Sequence, residues 1–280
     1  MSVPDSLLGL DLPRFLVLWA GASIAVELVV LRWRGSAIDL RDTLTSMLLG
    51  LVWTGIRVVG AKVLFLGAWV WVWQHLALFD LDHGDPRTWL AYWLIGDLVY
   101  YWTHRLEHRS PLLWASHLVH HSSTRFNLAT AVRQPWTEVF YKPIVAFWAP
   151  LLGFHPAMYV FVGALSLAVG QWQHLEWFPK VRWLDAVVMS PSNHRVHHGT
   201  NPEYLDRNFG GSLVVWDRLF GTYTPEVAPP VYGVLGYEPP TSPLRLSLGG
   251  YPALVASART GHRSDRSRAG RGLCDRPVMS

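Results

Sequence analysis

Apolar positions in this chain run in long unbroken blocks, without the regular polar interruptions of a helix with one wet face. A helix that crosses a bilayer needs about 20 mostly apolar residues. Leu12 to Val30 qualifies, with Arg14 near one end and Glu27 near the other. It opens on an acidic stretch with no small-residue cleavage site, so it reads as a retained anchor and not a signal peptide. Met47 to Leu81 is a second apolar run, broken by Arg57, Lys62 and His75, with the length for two passes or a re-entrant hairpin. Trp89 to Trp102, Trp136 to Gly153 and Pro156 to Trp172 follow, the last two divided by the breaker-rich Gly153-Phe154-His155-Pro156. Beyond Phe178 the chain turns polar and rich in Gly and Pro, and no later stretch has the length to span.

This pattern predicts an all-α integral membrane bundle of four to six apolar helices, capped by a polar helical lobe. Residues 1–250 form one domain, and 251–280 form a basic tail without apolar period, expected to be disordered. The two large polar blocks, His104 to Arg133 and Lys180 to Arg218, hold most of the His and much of the Arg. If they share one side of the membrane, the excess of basic residues places that side, and the lobe, in the cytosol.

Composition supports a lipid-embedded body. Half of the 280 residues are hydrophobic, only 16% are charged, and mean hydropathy is +0.18, whereas soluble domains carry about a quarter charged residues. The 16 Trp and 10 Tyr suit aromatic belts at headgroup level. Six Arg against two Asp after Gly250 account for the whole net charge of +4. The folded part is therefore neutral and has no basic face for nucleic acid. A single cysteine, Cys274, excludes a disulfide framework and a thiolate metal cage.

Histidine carries the chemistry. Nine of the 13 His fall in four places: His104-Arg-Leu-Glu-His108, His117-Leu-Val-His120-His121, a lone His174, and His194-Arg-Val-His197-His198. Residues at i, i+3 and i+4 share one face of a helix, so each cluster aims two or three imidazoles at one point. At this His frequency an HxxHH arises by chance roughly 0.03 times per chain, and two of them roughly a thousandth of the time. Imidazole suits Zn, Cu, Fe and Ni. One ion rarely takes more than six ligands, so nine convergent rings imply two ions with positions left for water, oxygen or substrate. Neutral ligands leave most of the charge of two dications uncompensated, which fits a centre that binds oxygen, while zinc hydrolysis uses the same charge differently.

Two other readings stay open on the residues alone. His104-Arg-Leu-Glu-His108 also matches HxxEH, a zinc-hydrolase pattern in which Glu107 is the base and Glu176 a third ligand. A metal transporter is the non-enzymatic alternative, although transporters place their ligands near the bilayer midplane.

The run Asp97-Leu-Val-Tyr-Tyr-Trp-Thr-His104 with the three clustered boxes resembles the fatty acid hydroxylase/sterol desaturase superfamily, from about Ala91 to Tyr223. Within it, His121 to Gln134, Asn201 to Gly211 and Trp216 to Thr222 are similar to the alkylglycerol monooxygenase branch and its bacterial relatives. The resemblance implies that His104, His108, His117, His120, His121, His174, His194, His197 and His198 ligate two iron ions, with zinc as the alternative metal. It implies an oxygen-dependent hydroxylation, desaturation or ether oxidation of a membrane lipid. Some members carry a further His one turn before the lone one, where this chain has Gly170. No haem-binding or flavin-binding domain and no Gly-rich nucleotide fingerprint is present, so electrons come from a separate donor. That donor is a pterin by similarity to the branch, or a cytochrome or ferredoxin system.

Lesser candidates complete the list. Asp97 lies two helical turns before His104 inside an apolar run, and either orients a ligand or pairs with an Arg. Glu107, Glu176, Asp185 and Asp217 read as salt-bridge partners or helix caps. Asn127, Arg133 and Gln134 are candidates for a substrate head group by resemblance. Gly210 and Gly211 are expected in a turn that needs positive φ. His75, His83, His155 and His262 lie outside the spacing and read as non-ligands.

Overall fold

Prolines decide where many of the helices begin. The computed structural model describes residues 12–60 and 65–259. Its helices are α1 (Leu12–Trp33), α2 (Leu40–Gly60), α3 (Gly67–Leu76), α4 (Pro86–Arg109), α5 (Pro111–His121), α6 (Leu128–Ala131) and α7 (Glu138–Val145). They continue as α8 (Trp148–Leu152), α9 (Pro156–Gln173), α10 (Arg182–Asp185), α11 (Pro191–His198), α12 (Val215–Leu219), α13 (Pro243–Ser247) and α14 (Tyr251–Arg259). Pro86, Pro111, Pro156, Pro191 and Pro243 each open a helix, where the missing N–H has no intrahelical partner to lose. Asp85, His155, Ser190 and Ser242 cap four of these starts with a side-chain acceptor. Among the described residues the only β structure is two isolated bridges, Val188 with Leu213 and Val234 with Tyr237.

The Ser110-Pro111 step matters most for the site. Pro111 cannot donate to the carbonyl a turn earlier and disfavours a helical residue before it. Ser110 accordingly goes extended, at φ −91° and ψ 120°. The chain folds back there, α5 packs along α4, and the histidines of the first box come to face those of the second.

Leu12–Val30, Trp89–Trp102 and Pro156–Trp172 each lie within one helix, while the other two apolar runs are broken. Trp136 to Gly153 divides into α7 and α8, with Pro143 inside α7 and Pro150 inside α8 each removing a backbone donor. Met47 to Leu81 falls on the end of α2 and on α3, and residues 61–64 between them, Lys62 included, lie outside the described residues. Among the described residues no helix is long and apolar enough to cross a membrane. The tail boundary also moves. Tyr251–Arg259 is helical and packs on α5, with the Gly250 amide donating to the Ala115 carbonyl at 2.8 Å. Residues 260–280, His262 and Cys274 among them, lie outside the described residues.

Small apolar clusters tie the helices together. Tyr92, Ala149, Phe154 and Met158 join α4, α8 and α9. Ile24 meets Leu128 and Ala129 between α1 and α6, and Leu49, Val119 and Leu246 join α2, α5 and α13. The outward faces of α1 and α2 are apolar: Phe15, Leu18, Val26, Val29, Leu40, Leu44, Leu48 and Leu51 are exposed, while Glu27, Thr43 and Ser46 are buried. This inverts the usual arrangement of a water-facing helix.

One buried cation fixes α2 against α5. Arg133 is 2% exposed. Its Nη1 donates to Asp42 Oδ1 at 2.9 Å and to Ser46 Oγ at 3.0 Å, both on α2. Its Nε donates to the Val119 carbonyl and to Ser122 Oγ, each at 3.1 Å, at the end of α5. Removing one member of a buried ion pair leaves an uncompensated charge, which costs about 3–5 kcal/mol. Arg133→Ala should therefore destabilise the protein by about 3 kcal/mol in chemical unfolding. Gln134→Ala, which loses only a local bond to the Ala131 carbonyl, should leave the unfolding midpoint near its starting value.

Candidate metal centre

All nine clustered histidines are buried, between 2% and 7% exposed, and they meet in two groups. His104, His108, His117, His121 and His197 form the first, and His120, His174, His194 and His198 the second. Within each group the candidate donor atoms lie within 4.8 Å of one another. Each HxxHH box is shared between the groups: the i+3 and i+4 rings of α5, His120 and His121, diverge to opposite sides, and so do His197 and His198 of α11. The rings of His121 and His198 stack across the divide with centroids 4.2 Å apart.

Backbone carbonyls set the tautomers. Nδ1 of His104 donates to the Phe209 carbonyl at 2.9 Å, His120 to Arg133 at 3.2 Å, His174 to Gly170 at 2.7 Å, and His197 to Arg207 at 3.0 Å. A carbonyl only accepts, so Nδ1 carries the proton and Nε2 presents a lone pair inward. Those Nε2 atoms crowd together. His104 and His117 are 3.1 Å apart at Nε2, His117 and His121 3.2 Å, His121 and His197 3.1 Å, and His174 and His194 3.2 Å. At that separation each pair either forms an N–H···N hydrogen bond or turns two lone pairs toward a cation between them. Ligands about 2.1 Å from one ion sit about 3.0–3.4 Å from each other, so the spacing fits a shared metal. Nε2 of His198 is buried with no hydrogen-bond partner among the described residues, a further mark of a donor set that needs a cation.

Burial also keeps the rings neutral. Desolvation, the largest cause in each case, holds His104, His117, His120, His121, His194, His197 and His198 well below the ordinary imidazole value, and takes His174 down to about 4. Neighbouring imidazoles add to it at all of these but His174.

The loop from Arg207 to Leu213 presses on the first group, and two aspartates hold it. Asp217 accepts from the Phe209 amide at 2.7 Å, the Gly210 amide at 2.8 Å and Thr222 Oγ1 at 2.7 Å. Among the described residues Asp97 has no ion pair with an Arg and no direct bond to an imidazole. It accepts from the Ser212 amide at 2.6 Å, the Leu213 amide at 3.1 Å and Trp216 Nε1 at 2.9 Å, so it acts on His104 through the loop. Gly210 and Gly211 do not have positive φ; Asp206 and Asn208 do, at 57° and 55°. Space explains the glycines instead. A Cβ on Gly210 would lie 2.3 Å from the Leu213 carbonyl oxygen, and one on Gly211 would lie 2.7 Å from Asp97 Oδ1.

Other candidates fall outside the two groups. Asn127 caps α6, its Oδ1 accepting from the Thr130 amide at 3.1 Å. Arg133 is taken up by the bonds between α2 and the end of α5, and Gln134 Nε2 donates to the Ala131 carbonyl at 3.0 Å. Asp185 accepts from Ser190 Oγ at 2.5 Å and so braces the start of α11. Glu176 is exposed. His75 bonds the Trp71 carbonyl, His83 lies against the Gly153 carbonyl, and His155 caps α9.

Sequence reading missed a buried patch behind His117. Its Nδ1 faces Glu107 Oε2 at 3.5 Å and Glu138 Oε1 at 3.8 Å. Tyr141 donates to Glu107 at 2.5 Å, and Lys142 reaches Glu138 at 2.7 Å. Glu107 thus stands at the outer nitrogen of a histidine, away from the crowded Nε2 atoms where a hydrolytic base would be needed. Glu138, Tyr141 and Lys142 at i, i+3 and i+4 within an apolar run were the available signal.

Two outcomes follow. Below about pH 6.5 the unfolded rings take up protons that the folded ones refuse, so the unfolded chain binds more protons there. Stability of the metal-free protein should be greatest above pH 6.5 and fall steadily on acidification, with the share of His174 exhausted near pH 4; urea midpoints from pH 7.5 to 4.5 measure this, and a flat profile contradicts it. Asp217→Ala frees two buried amides beside the Phe209 carbonyl. Loss of such supporting bonds weakens metal binding about 10–100-fold, to be read as metal per chain after dialysis against a competing chelator.

Comparison with known proteins agrees with this geometry. The model of the fatty acid hydroxylase family matches residues 89–222. The chain is 36% identical over 214 residues to alkylglycerol monooxygenase of Danio rerio, covering 75% of this chain and 47% of that protein. It is 35% identical over 196 residues to the Homo sapiens alkylglycerol monooxygenase, covering 70% and 43%. Ornithine lipid hydroxylase OlsE of Rhizobium tropici is 29% identical over 159 residues, covering 52% and 46%. The chain thus spans about half the length of these curated relatives. No solved structure matches it. The matched stretch runs from α4, which carries His104, to Thr222 beside Asp217, and over it the chain matches the fatty acid hydroxylase family and is similar to alkylglycerol monooxygenases.

Proposed function

We propose that this protein is a membrane-bound oxidoreductase that uses molecular oxygen to hydroxylate, desaturate or oxidatively cleave a lipid. The observation that carries the reading is the division of nine buried imidazoles into groups of five and four, in a chain whose relatives are named monooxygenases and lipid hydroxylases. His104, His108, His117, His121 and His197 would hold one iron, and His120, His174, His194 and His198 the other, with zinc as the alternative metal. Such a pair would supply the redox chemistry that activation of oxygen requires.

The chain's own residues do the rest. The carbonyls of Phe209, Arg133, Gly170 and Arg207 keep Nδ1 protonated and Nε2 directed inward. Phe126, stacked on His174 with centroids 5.1 Å apart, helps exclude water from the second group, as does the burial of every ring. In hydroxylation one oxygen atom enters a C–H bond and the other leaves as water, which consumes two protons and two electrons. The electrons come from a separate reductant, a pterin or a cytochrome or ferredoxin system.

Membrane attachment is part of the proposal. It is supported by the apolar outward faces of α1 and α2 and by the low charge content. The Arg-bearing blocks around the two polar boxes orient the centre toward the cytosol. Expression in a heterologous host under ¹⁸O₂, followed by lipid profiling, tests the activity. A host lipid should gain one ¹⁸O atom or a double bond, and His121→Ala and His198→Ala, one from each group, should each abolish the product. Two metal ions per chain are expected. One zinc per chain with activity lost in Glu107→Gln favours hydrolysis, and metal flux in proteoliposomes favours a transporter.

A further inference from the structure

A cavity of about 330 Å³ opens beside α1, and its lining is apolar except at two positions. Trp19, Val26, Val30, Leu128, Leu175 and Trp177 form most of the wall. Ser23, the first polar residue, is already spent: its hydroxyl donates to the Ala20 carbonyl at 3.0 Å and receives Gln171 Nε2 at 2.8 Å. Glu27, the second, is 3% exposed. Its Oε2 accepts from the Leu128 amide at 2.7 Å, while its Oε1 is buried with no hydrogen-bond partner among the described residues.

A carboxylate oxygen left unpaired in an apolar wall is costly, and such groups are retained where they serve a ligand. That oxygen can accept a hydrogen bond, and a ligand that brings a donor would supply it. The rest of the wall accepts only hydrocarbon. The two requirements together describe a long-chain lipid with a hydroxyl. The location is also apt. Leu175 directly follows His174, and Leu128 lies two residues after Phe126, whose ring stacks on His174. At the other end Arg34 sits over the ring of Trp177 at 5.8 Å, which leaves a cation at the mouth.

We infer that this groove is a lipid-binding site in which Glu27 receives the hydroxyl of a long-chain amphiphile and α1, α6 and the Leu175–Trp177 turn receive its chain. It rests on the lipid-oxidation reading only for the idea that the bound lipid is a substrate. Binding itself requires neither metal nor turnover.

The test uses the purified full-length chain in neutral detergent with two photoreactive probes, a diazirine-bearing long-chain primary alcohol and its methyl ether. Both have the same chain, and the ether has lost the donor. A hydrogen bond to a desolvated carboxyl group is worth about tenfold in binding. The alcohol should therefore label peptides spanning Trp19–Val30 and Leu175–Trp177 about tenfold more than the ether does. Glu27→Gln, whose amide oxygen can still accept from the Leu128 amide, should erase that preference. Ala22→Trp, which fills the groove from an exposed position, should remove labelling by both probes while leaving the thermal midpoint in place. Equal labelling by alcohol and ether, a preference that survives in Glu27→Gln, or labelling confined to other peptides would each overturn the site. Labelling as expected in a protein that oxidises no lipid would sink the oxygenase reading and leave the groove standing.

Discussion

The architecture depends on one kind of bond: a backbone carbonyl that takes the Nδ1 proton of an imidazole. A free histidine turns about two side-chain torsions and interconverts between two tautomers, and nine of them have no reason to converge. The carbonyls of Phe209, Arg133, Gly170 and Arg207 remove that freedom for His104, His120, His174 and His197. Each of those carbonyls lies outside the three clustered boxes. The boxes supply donors, and the intervening chain, irregular in sequence and in structure, supplies their orientation.

That dependence explains where the fold concentrates its polar groups. Asp97 and Asp217 hold the loop that carries Phe209, and Arg133 fixes the backbone that receives His120 while binding α2 to α5. A buried aspartate that accepts three donors is well compensated, whereas the same residue without them would be a severe burden in so apolar a body. The buried polar residues around the two groups therefore form a frame for the centre.

Much of this was legible in the sequence because it is periodic. HxxxH and the i, i+4 pair within each HxxHH point together on a helix, and each such pair stays within one group. The opposed directions of His120 and His121, and of His197 and His198, were not legible, since adjacent residues on a helix differ by 100° and only the packing partner decides which group each joins. Asp97 was noticed for the right reason, an acid in an apolar run, but its partners lie more than a hundred residues away in the chain. Gly210 and Gly211 were noticed too, yet the constraint is contact with Asp97, Tyr100 and Leu213 and not a backbone angle, which no local pattern encodes. The cluster of Glu107, Glu138, Tyr141 and Lys142 is assembled from two separate helices and became visible only once α7 was placed against α4.

The face-to-face rings of His121 and His198 carry one last implication. One belongs to each group, and each is joined by a single peptide bond to a ring of the other: His120 on α5 and His197 on α11. The two compartments are thus joined three times over, by one ring contact and by two peptide bonds, and neither can be placed in the fold without placing the other.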